Sequence, residues 1–309
     1  MATYNGEAFL REQLDSLLCQ TLLPYELVVC DDFSTDSTVD IIKKFSGVAP
    51  FNVKLFCNTS NIGFLKNFEK SISLCTGDYI ALSDQDDIWE NDKLLVLSES
   101  IGDALLAHSD SLIIDSSGSV ISNSHAIYSR KFLDCNFERY VFGNNVTGCT
   151  SIFKTDFIKQ ILPIPDDFIY HDWWIALHAS YHGRIVYVSK PLVRYRQHGD
   201  NVAGVSFSRS RGVVAKLGVR DDFNRKRKSQ LASLLKYSQF DESHSAVIMD
   251  LLRYYDEYFN KHIRIWSFIY HLRSYKYFSD SVSLVVNTLS LLSSLFGRPL
   301  FCKLHDIIG

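Results

Sequence analysis

The 309-residue chain lacks most of the strings that assign a chemistry at sight. It has no GxGxxG, no Walker phosphate loop and no GxSxG elbow, so the glycine- and serine-based signatures of dinucleotide, triphosphate and esterase sites are missing. Its seven cysteines form no CxxC pair and are odd in number. That argues against a disulfide framework or zinc site and for buried thiols in a reducing compartment. Internal repeats and low-complexity tracts are absent. The strongest apolar run, 281–296, has 16 residues and is broken by serines and Asn287, short of the roughly 20 that span a bilayer. The opening Met1-Ala2-Thr3-Tyr4-Asn5-Gly6-Glu7 carries no basic stretch followed by an apolar core, so no secretory signal is expected.

What remains is ordinary in bulk: 46% hydrophobic and 22% charged residues. These values exclude a disordered, collagenous or multi-span membrane chain. The length allows two domains or one large α/β domain. The net charge of −3 hides an asymmetry, because residues 1–204 carry 16 Lys+Arg against 26 Asp+Glu, and residues 205–309 carry 16 against 9. An acidic body of 1–204 is therefore followed by a basic region of 205–309. Such a tail suits an anionic membrane surface, nucleic acid, or no partner at all.

Short apolar runs alternate with helical periods through the first hundred residues, the pattern of βαβ units around a mainly parallel sheet. Strands are expected at 27–30, 53–56, 79–82 and 104–108, with helices over 7–19, up to 45, over 64–74 and over 91–100. Ser34 and Asp36 are candidate caps for the helix ending at Phe45. A chain of this pattern opens on a strand, yet only Met1-Ala2 precede the turn Thr3-Tyr4-Asn5-Gly6, so the chain is expected to start inside its first strand. Ser116-Ser117-Gly118-Ser119 marks a hairpin turn, 122–148 reads as irregular and partly mobile, and 151–153 as a strand. A helix over 156–162 and another from His171 to about Tyr181 follow, then separate strands at 185–188 and 192–196. Beyond 205 the pattern is helical and aromatic.

Two acidic clusters end expected parallel strands, where open α/β sheets place ligands. Asp84-Gln85-Asp86 alternates, so both carboxylates can face one pocket, and oxygen donors of this kind suit Mg²⁺ or Mn²⁺ held together with a diphosphate. A solvated loop capping the next helix is the alternative. Asp31-Asp32 is open in the same way, between base or ribose recognition and helix capping. Asp172, before Trp173-Trp174, is a general-base candidate because partial desolvation raises a carboxyl pKa; it also reads as a helix N-cap with both indoles in the core. Arg194, Arg196 and His198 end a strand in a polar loop, offering cations for a diphosphate and an imidazole for a metal. A lone histidine is more often structural.

Taken in order, Ala2-Thr3-Tyr4-Asn5-Gly6, Asp31–Thr38, Asn61-Ile62-Gly63, Gly77-Asp78-Tyr79-Ile80, Asp84–Asp87 and His171-Asp172 resemble family 2 glycosyltransferases of the GT-A fold. Tyr195–Val202 is similar to the rhamnosyltransferase-like branch, whose members build bacterial surface polysaccharide. The resemblance covers about residues 1–204. It implies a GT-A catalytic domain over 1–204, with a helical C-terminal region over 205–309. It further implies an inverting, metal-dependent transfer from a dTDP- or UDP-sugar, rhamnose among the sugars, to a glycan or lipid-linked acceptor, in the cytoplasm and at the inner face of the membrane. Thr3, Tyr4 and Asp32 would hold the nucleoside, with Asp31 nearby; Asp86 would be the more direct Mg²⁺ or Mn²⁺ ligand, and Asp84 would join it at the metal, nearer the ribose or the metal's water. Asp172 would be the base, and His198 with Arg196 would meet the diphosphate or metal. His171 departs from the acidic residue more usual before the base.

With the basic clusters upstream, 281–296 suits a helix lying on an anionic leaflet, or one packed on the protein; no nucleic-acid partner is expected. Two other classes compete: a Mg²⁺-dependent phosphohydrolase built on Asp84 and Asp86, and an inactive glycosyltransferase-like subunit.

Overall fold

The computed structural model describes residues 1–128, 136–199 and 213–260, and the structural statements below concern these. The chain falls into two compact units, one of Met1–Asn136 with Asn144–Ser210, the other of Phe137–Gly143 with Arg211–Gly309. The boundary expected at 204/205 lies outside the described residues. So do Asn201, Val202 and the apolar run 281–296.

The first unit opens as βαβ. Its elements are β1 (Ala2–Thr3), α1 (Leu10–Leu18), β2 (Glu26–Asp31), α2 (Thr38–Ser46), β3 (Asn52–Cys57) and α3 (Phe64–Ser73). The strands form a parallel sheet in the order β1-β2-β3, with Ala2 opposite Cys30 and Thr3 opposite Asp31. Leu27-Val28-Val29-Cys30 is apolar at every position because the strand is buried on both faces. α1 buries Leu10, Leu14 and Leu17, one stripe at helical spacing that packs in a core with Val29, Ile42 and Phe45.

The chain continues through β4 (Tyr79–Ala81), β5 (Ile88–Trp89), α4 (Lys93–Ile101), β6 (Leu106–Ile114), β7 (Val120–Ser122) and α5 (His125–Tyr128). In the second unit it forms α6 (Phe137–Phe142), then returns for β8 (Ser151–Lys154), α7 (Thr155–Gln160), α8 (His171–His182) and β9 (Ile185–Arg196). A second sheet runs β4-β8-β6-β9-β5, with β7 on β6. Only its β6/β9 pairing is parallel; β4/β8, β6/β8, β5/β9 and β6/β7 are antiparallel. The α/β architecture expected from the sequence is present, but β4, expected as a parallel strand ending in Asp84–Asp87, pairs antiparallel with β8 at the edge of the second sheet. The expected hairpin turn joins β6 to β7.

The two strands expected at 185–188 and 192–196 are one. β9 runs through Pro191, which faces Asp110 of β6 where the register shifts. Proline has no N–H to give the ladder and is tolerated at such an irregularity. The segment 122–148, expected to be irregular, holds α5 and α6 and leads into a single 3₁₀ turn at Gly148–Thr150.

The second unit holds α6 with α9 (Val213–Tyr237) and α10 (Glu242–Asn260). Leu231 and Leu234 of α9 and Ile248 and Leu251 of α10 are buried. Phe137 of α6 meets the rings of Phe240 and His244 edge-on at 5.1 and 4.7 Å. Among the described residues no helix is long and apolar enough to cross a membrane.

Candidate active site

Four loops of the first unit build the site, beginning with the strand ends of β1 and β2. Thr3 is buried and donates to Asp31 Oδ1 at 2.9 Å; Ser34 gives Asp31 its backbone N–H at 2.9 Å and its hydroxyl at 2.6 Å. Asp32 accepts from Asn58 Nδ2 at 2.8 Å and from the backbone of Ile62 and Gly63 at 2.8 and 2.9 Å. Neither carboxylate caps α2. The N-cap is Ser37, with no side-chain bond of its own, and Asp36 just before it takes the Thr38 N–H at 3.0 Å. Asp31 and Asp32 therefore shape the turn after β1 and the 61–63 loop. Tyr4, nearly half exposed, is the member of this group that offers its side chain outward.

The second loop follows β4. Asp86 Oδ2 lies 2.8 Å from His198 Nε2, and the His198 ring packs on Phe9 with centroids 4.9 Å apart. Donor atoms of Asp84, Asp87 and Cys149 lie within 4.8 Å of one another. The expected trio of Asp84, Asp86 and His198 thus divides: Asp86 stands with His198, and Asp84 with Asp87 and the Cys149 thiol. The 85–86 bend breaks the strand-like alternation expected there.

The third part is the start of α8. Asp172 is in the first helical turn, two residues past the N-cap, a position that belongs to Tyr170 and not, as expected, to Asp172. Its Oδ1 accepts from Asn144 Nδ2 and its Oδ2 from the Gly148 N–H, both at 3.0 Å. Trp173 and Trp174 fill the core as expected, with Trp174 Nε1 bonded to the Ile161 carbonyl at 2.9 Å. His171 stacks on Phe68 with centroids 4.0 Å apart, and burial pushes its pKa down to about 3, so the ring is neutral near pH 7. Gly148 passes close beneath it: an added Cβ would stand 3.0 Å from His171 Nε2.

The chain that carries these carboxylates matches a known family. The sequence profile of Glycosyl transferase family 2 covers residues 1–162, more than half of the chain. The chain belongs to glycosyl transferase family 2. Among its relatives, the dTDP-rhamnosyl transferase RfbG of Shigella flexneri is 32% identical over 261 residues, 78% of this chain and 86% of that protein. Abequosyltransferase RfbV of Salmonella typhimurium is 28% identical over 72% of this chain and 73% of its own. In solved structures the fold recurs in S. aureus TarS 1-349 in complex with UDP-GlcNAc. That match has a TM-score of 0.56 and 20% identity, covering 84% of this chain and 71% of the other. It recurs too in the mannosyltransferase PcManGT of Pyrobaculum calidifontis in complex with GDP-Man and Mn²⁺. There the TM-score is 0.54 and the identity 15%, with 96% of this chain and 85% of the other covered. The GT-A expectation and its rhamnosyltransferase-like branch are borne out. A phosphohydrolase is not favoured.

In this glycosyltransferase the fourth part, the end of β9, behaves differently from expectation. Arg196 was expected at the diphosphate, but its guanidinium is buried inside the protein. Nε donates to the Asp86 carbonyl and Nη2 to Glu12 Oε2, each at 2.7 Å, while Nη1 reaches the Ser116 carbonyl at 3.2 Å. Its own N–H donates to Asp87 Oδ1 at 3.0 Å, and the guanidinium lies 4.7 Å over the Phe9 ring. These contacts brace the Asp84–Asp87 loop from behind. Arg196→Lys keeps the charge but loses the fork, and is expected to cost about 2–3 kcal/mol of stability, read from the denaturant midpoint.

The electrostatics of the glycosyltransferase site are set by crowding. Burial, then the negative charges of Asp86 and Asp172, push the Asp84 carboxyl up to about 7. Asp87 is raised well above the carboxylate range by burial and by Asp86 and Asp84. Lys93 answers them from α4: it is fully buried, its Nζ bonds the Cys149 carbonyl at 2.6 Å, and it sits 3.1 Å over the Trp89 ring. Burial pushes this ammonium down to about 7. A concentrated acidic site with a nearby imidazole fits a hard divalent cation, which would take the place of the protons held there.

Asp84 makes stability depend on pH. Its folded value lies above the ordinary 3.8, so the stability it contributes is complete below about pH 4 and is lost as pH rises through about 7. The thermal midpoint of metal-free Asp84→Asn should therefore gain on that of wild type across this window, and added Mn²⁺ should narrow the gap at its upper end. A gap independent of pH would show that Asp84 keeps an ordinary pKa.

Sequence reasoning missed Phe9, Glu12, Lys93 and Cys149. No motif marks them; each acts through contact with a segment distant in the chain. Asp87 was legible as part of the acidic string.

Proposed function

We propose that this glycosyltransferase moves a sugar such as rhamnose from a dTDP- or UDP-linked donor to a glycan or lipid-linked acceptor, with inversion at the anomeric carbon. The observation that carries this reading is that two adjacent residues link the two parts: the Gly148 N–H bonds Asp172 Oδ2 at 3.0 Å, and the Cys149 thiol lies within 4.8 Å of the Asp84 and Asp87 carboxylates, so the loop after β4 and the start of α8 face one site.

Asp172, held by Asn144 and Gly148, takes the proton from the acceptor hydroxyl as it attacks. Tyr4 contacts the nucleoside within a turn that Thr3, Asp31 and Asp32 hold in shape. Asp86 and His198 would hold Mg²⁺ or Mn²⁺, with Asp84 alongside. When bound, the cation supplies Lewis-acid charge against the departing diphosphate. Arg196 keeps the Asp84–Asp87 loop in place. The choice of rhamnose is supported by the similarity to RfbG.

The test is a donor panel of dTDP-rhamnose, UDP-galactose, UDP-glucose and UDP-N-acetylglucosamine, scored by acceptor-dependent nucleotide release with Mn²⁺. Release from none of them would overturn the reading. The basic balance of 205–309 supports contact with an anionic membrane face at the cytoplasmic side. Flotation of the full chain with anionic vesicles, lost at high salt and absent with neutral vesicles, is the expected result.

A further inference from the structure

Gln85 lies between the two carboxylates of Asp84-Gln85-Asp86 and has no part in the chemistry above. It is nevertheless tied across the site. Its Nε2 donates to the Tyr4 carbonyl at 3.0 Å, and its Oε1 accepts the Tyr4 N–H at 2.9 Å. This two-way exchange is the one that residues make across a β-ladder, here with a side-chain amide standing in for a strand. Gly6 makes the room: a Cβ there would stand 2.4 Å from Gln85 Oε1 and 2.6 Å from its Cδ.

The turn on the other side of this pair has little slack. Asn5 N–H is held by Ser34 Oγ at 2.9 Å, Gly6 N–H by Thr38 Oγ1 at 2.8 Å, and Glu7 N–H by Asp36 Oδ2 at 3.1 Å. Asn5 itself sits at a φ of +47°, a left-handed turn position that its short amide side chain tolerates. Tyr4 therefore cannot shift without breaking bonds at both ends, and the Asp84–Asp86 backbone cannot shift without carrying Tyr4 with it.

We infer that Gln85 is a positioning residue that makes nucleoside binding and divalent-cation binding depend on each other. This rests on the proposed roles of Tyr4 toward the nucleoside and of Asp84 and Asp86 toward the cation. Each ligand orders one side of the Gln85 pair and so prepares the other, and the effect must be equal in both directions. A nucleoside diphosphate would link the two sites through its own phosphates and mask the protein's share. The informative ligand is one without phosphate.

The experiment is calorimetric titration of the full chain with thymidine or uridine, with and without Mn²⁺. In wild type, Mn²⁺ should tighten nucleoside binding about five-fold or more. Gln85→Met keeps the length of the side chain and removes its amide; it should bind nucleoside and Mn²⁺ singly as wild type does, with no mutual effect. Gly6→Ala breaks the same pair from the opposite side and should lose the mutual effect as well. Thermal melts identify any variant that fails to fold, in which case the other decides. Coupling that survives in the folded variants, or independent binding of both ligands by wild type, overturns the role of Gln85. Failure of wild type to bind either ligand overturns the site assignment itself, and this inference with it.

Discussion

Asp172→Asn is expected to lower turnover by about 10²–10⁴-fold while donor binding persists. Asparagine has the shape of the aspartate but cannot take a proton from an attacking hydroxyl. It also alters the local bonding, since Asp172 accepts at both oxygens, from Asn144 and from Gly148. One of those donors will meet the new amide N–H₂, at a cost of about 1 kcal/mol. A thermal melt reports that cost separately. Calorimetry with a nucleoside diphosphate and Mn²⁺ then separates the two roles. Retained binding with lost turnover marks a base, whereas lost binding marks a residue that merely supports the pocket.

The second large effect belongs to Asp86. Asp86→Ala removes the carboxylate that stands 2.8 Å from His198 and should reduce transfer by about 10³-fold or more. That corresponds to the several kcal/mol of transition-state stabilisation a metal-linked group supplies. Wild-type activity should vanish with a chelator and return with Mn²⁺, and the variant should need far more Mn²⁺ for any residual rate. Full wild-type activity in excess chelator would remove the cation from the mechanism. His198→Asn should follow the same direction with a smaller loss, because the carboxylate remains.

Much of this site is legible in the order of the residues alone. Leu27–Cys30 and Tyr79–Leu82 are apolar runs that stop abruptly at acid, and a buried strand that ends in carboxylates announces a strand-end site. The Trp173-Trp174 pair likewise sets the orientation of α8, because two indoles must face the core. Arg196 misleads for a physical reason. A cation at the end of a strand beside a polar loop looks solvated, and it is segments distant in the chain, with the Asp86 and Ser116 carbonyls, the Phe9 ring and Glu12, that enclose it. Lys93 escapes notice for the converse reason: the start of a helix is a poor place for a lysine, and it is there because Asp84 and Asp87 lie behind it. The division of Asp84 from Asp86 follows from a bend at 85–86 that alternation cannot foresee.

The irregularity at Pro191 has a consequence for how the protein tolerates change. β9 joins the helix that holds Asp172 to the corner that ends with His198, and in a ladder without an irregularity a slip at one end would carry the other end with it. The register of β9 against β6 is reset between Val188 and Arg194, with Pro191 opposite Asp110. Misfit arising near Gly183–Lys190 can be taken up there as a bulge. The half that pairs Arg194, Tyr195 and Arg196 with Leu112, Ile113 and Ile114 then keeps its own alignment, and the corner stays anchored.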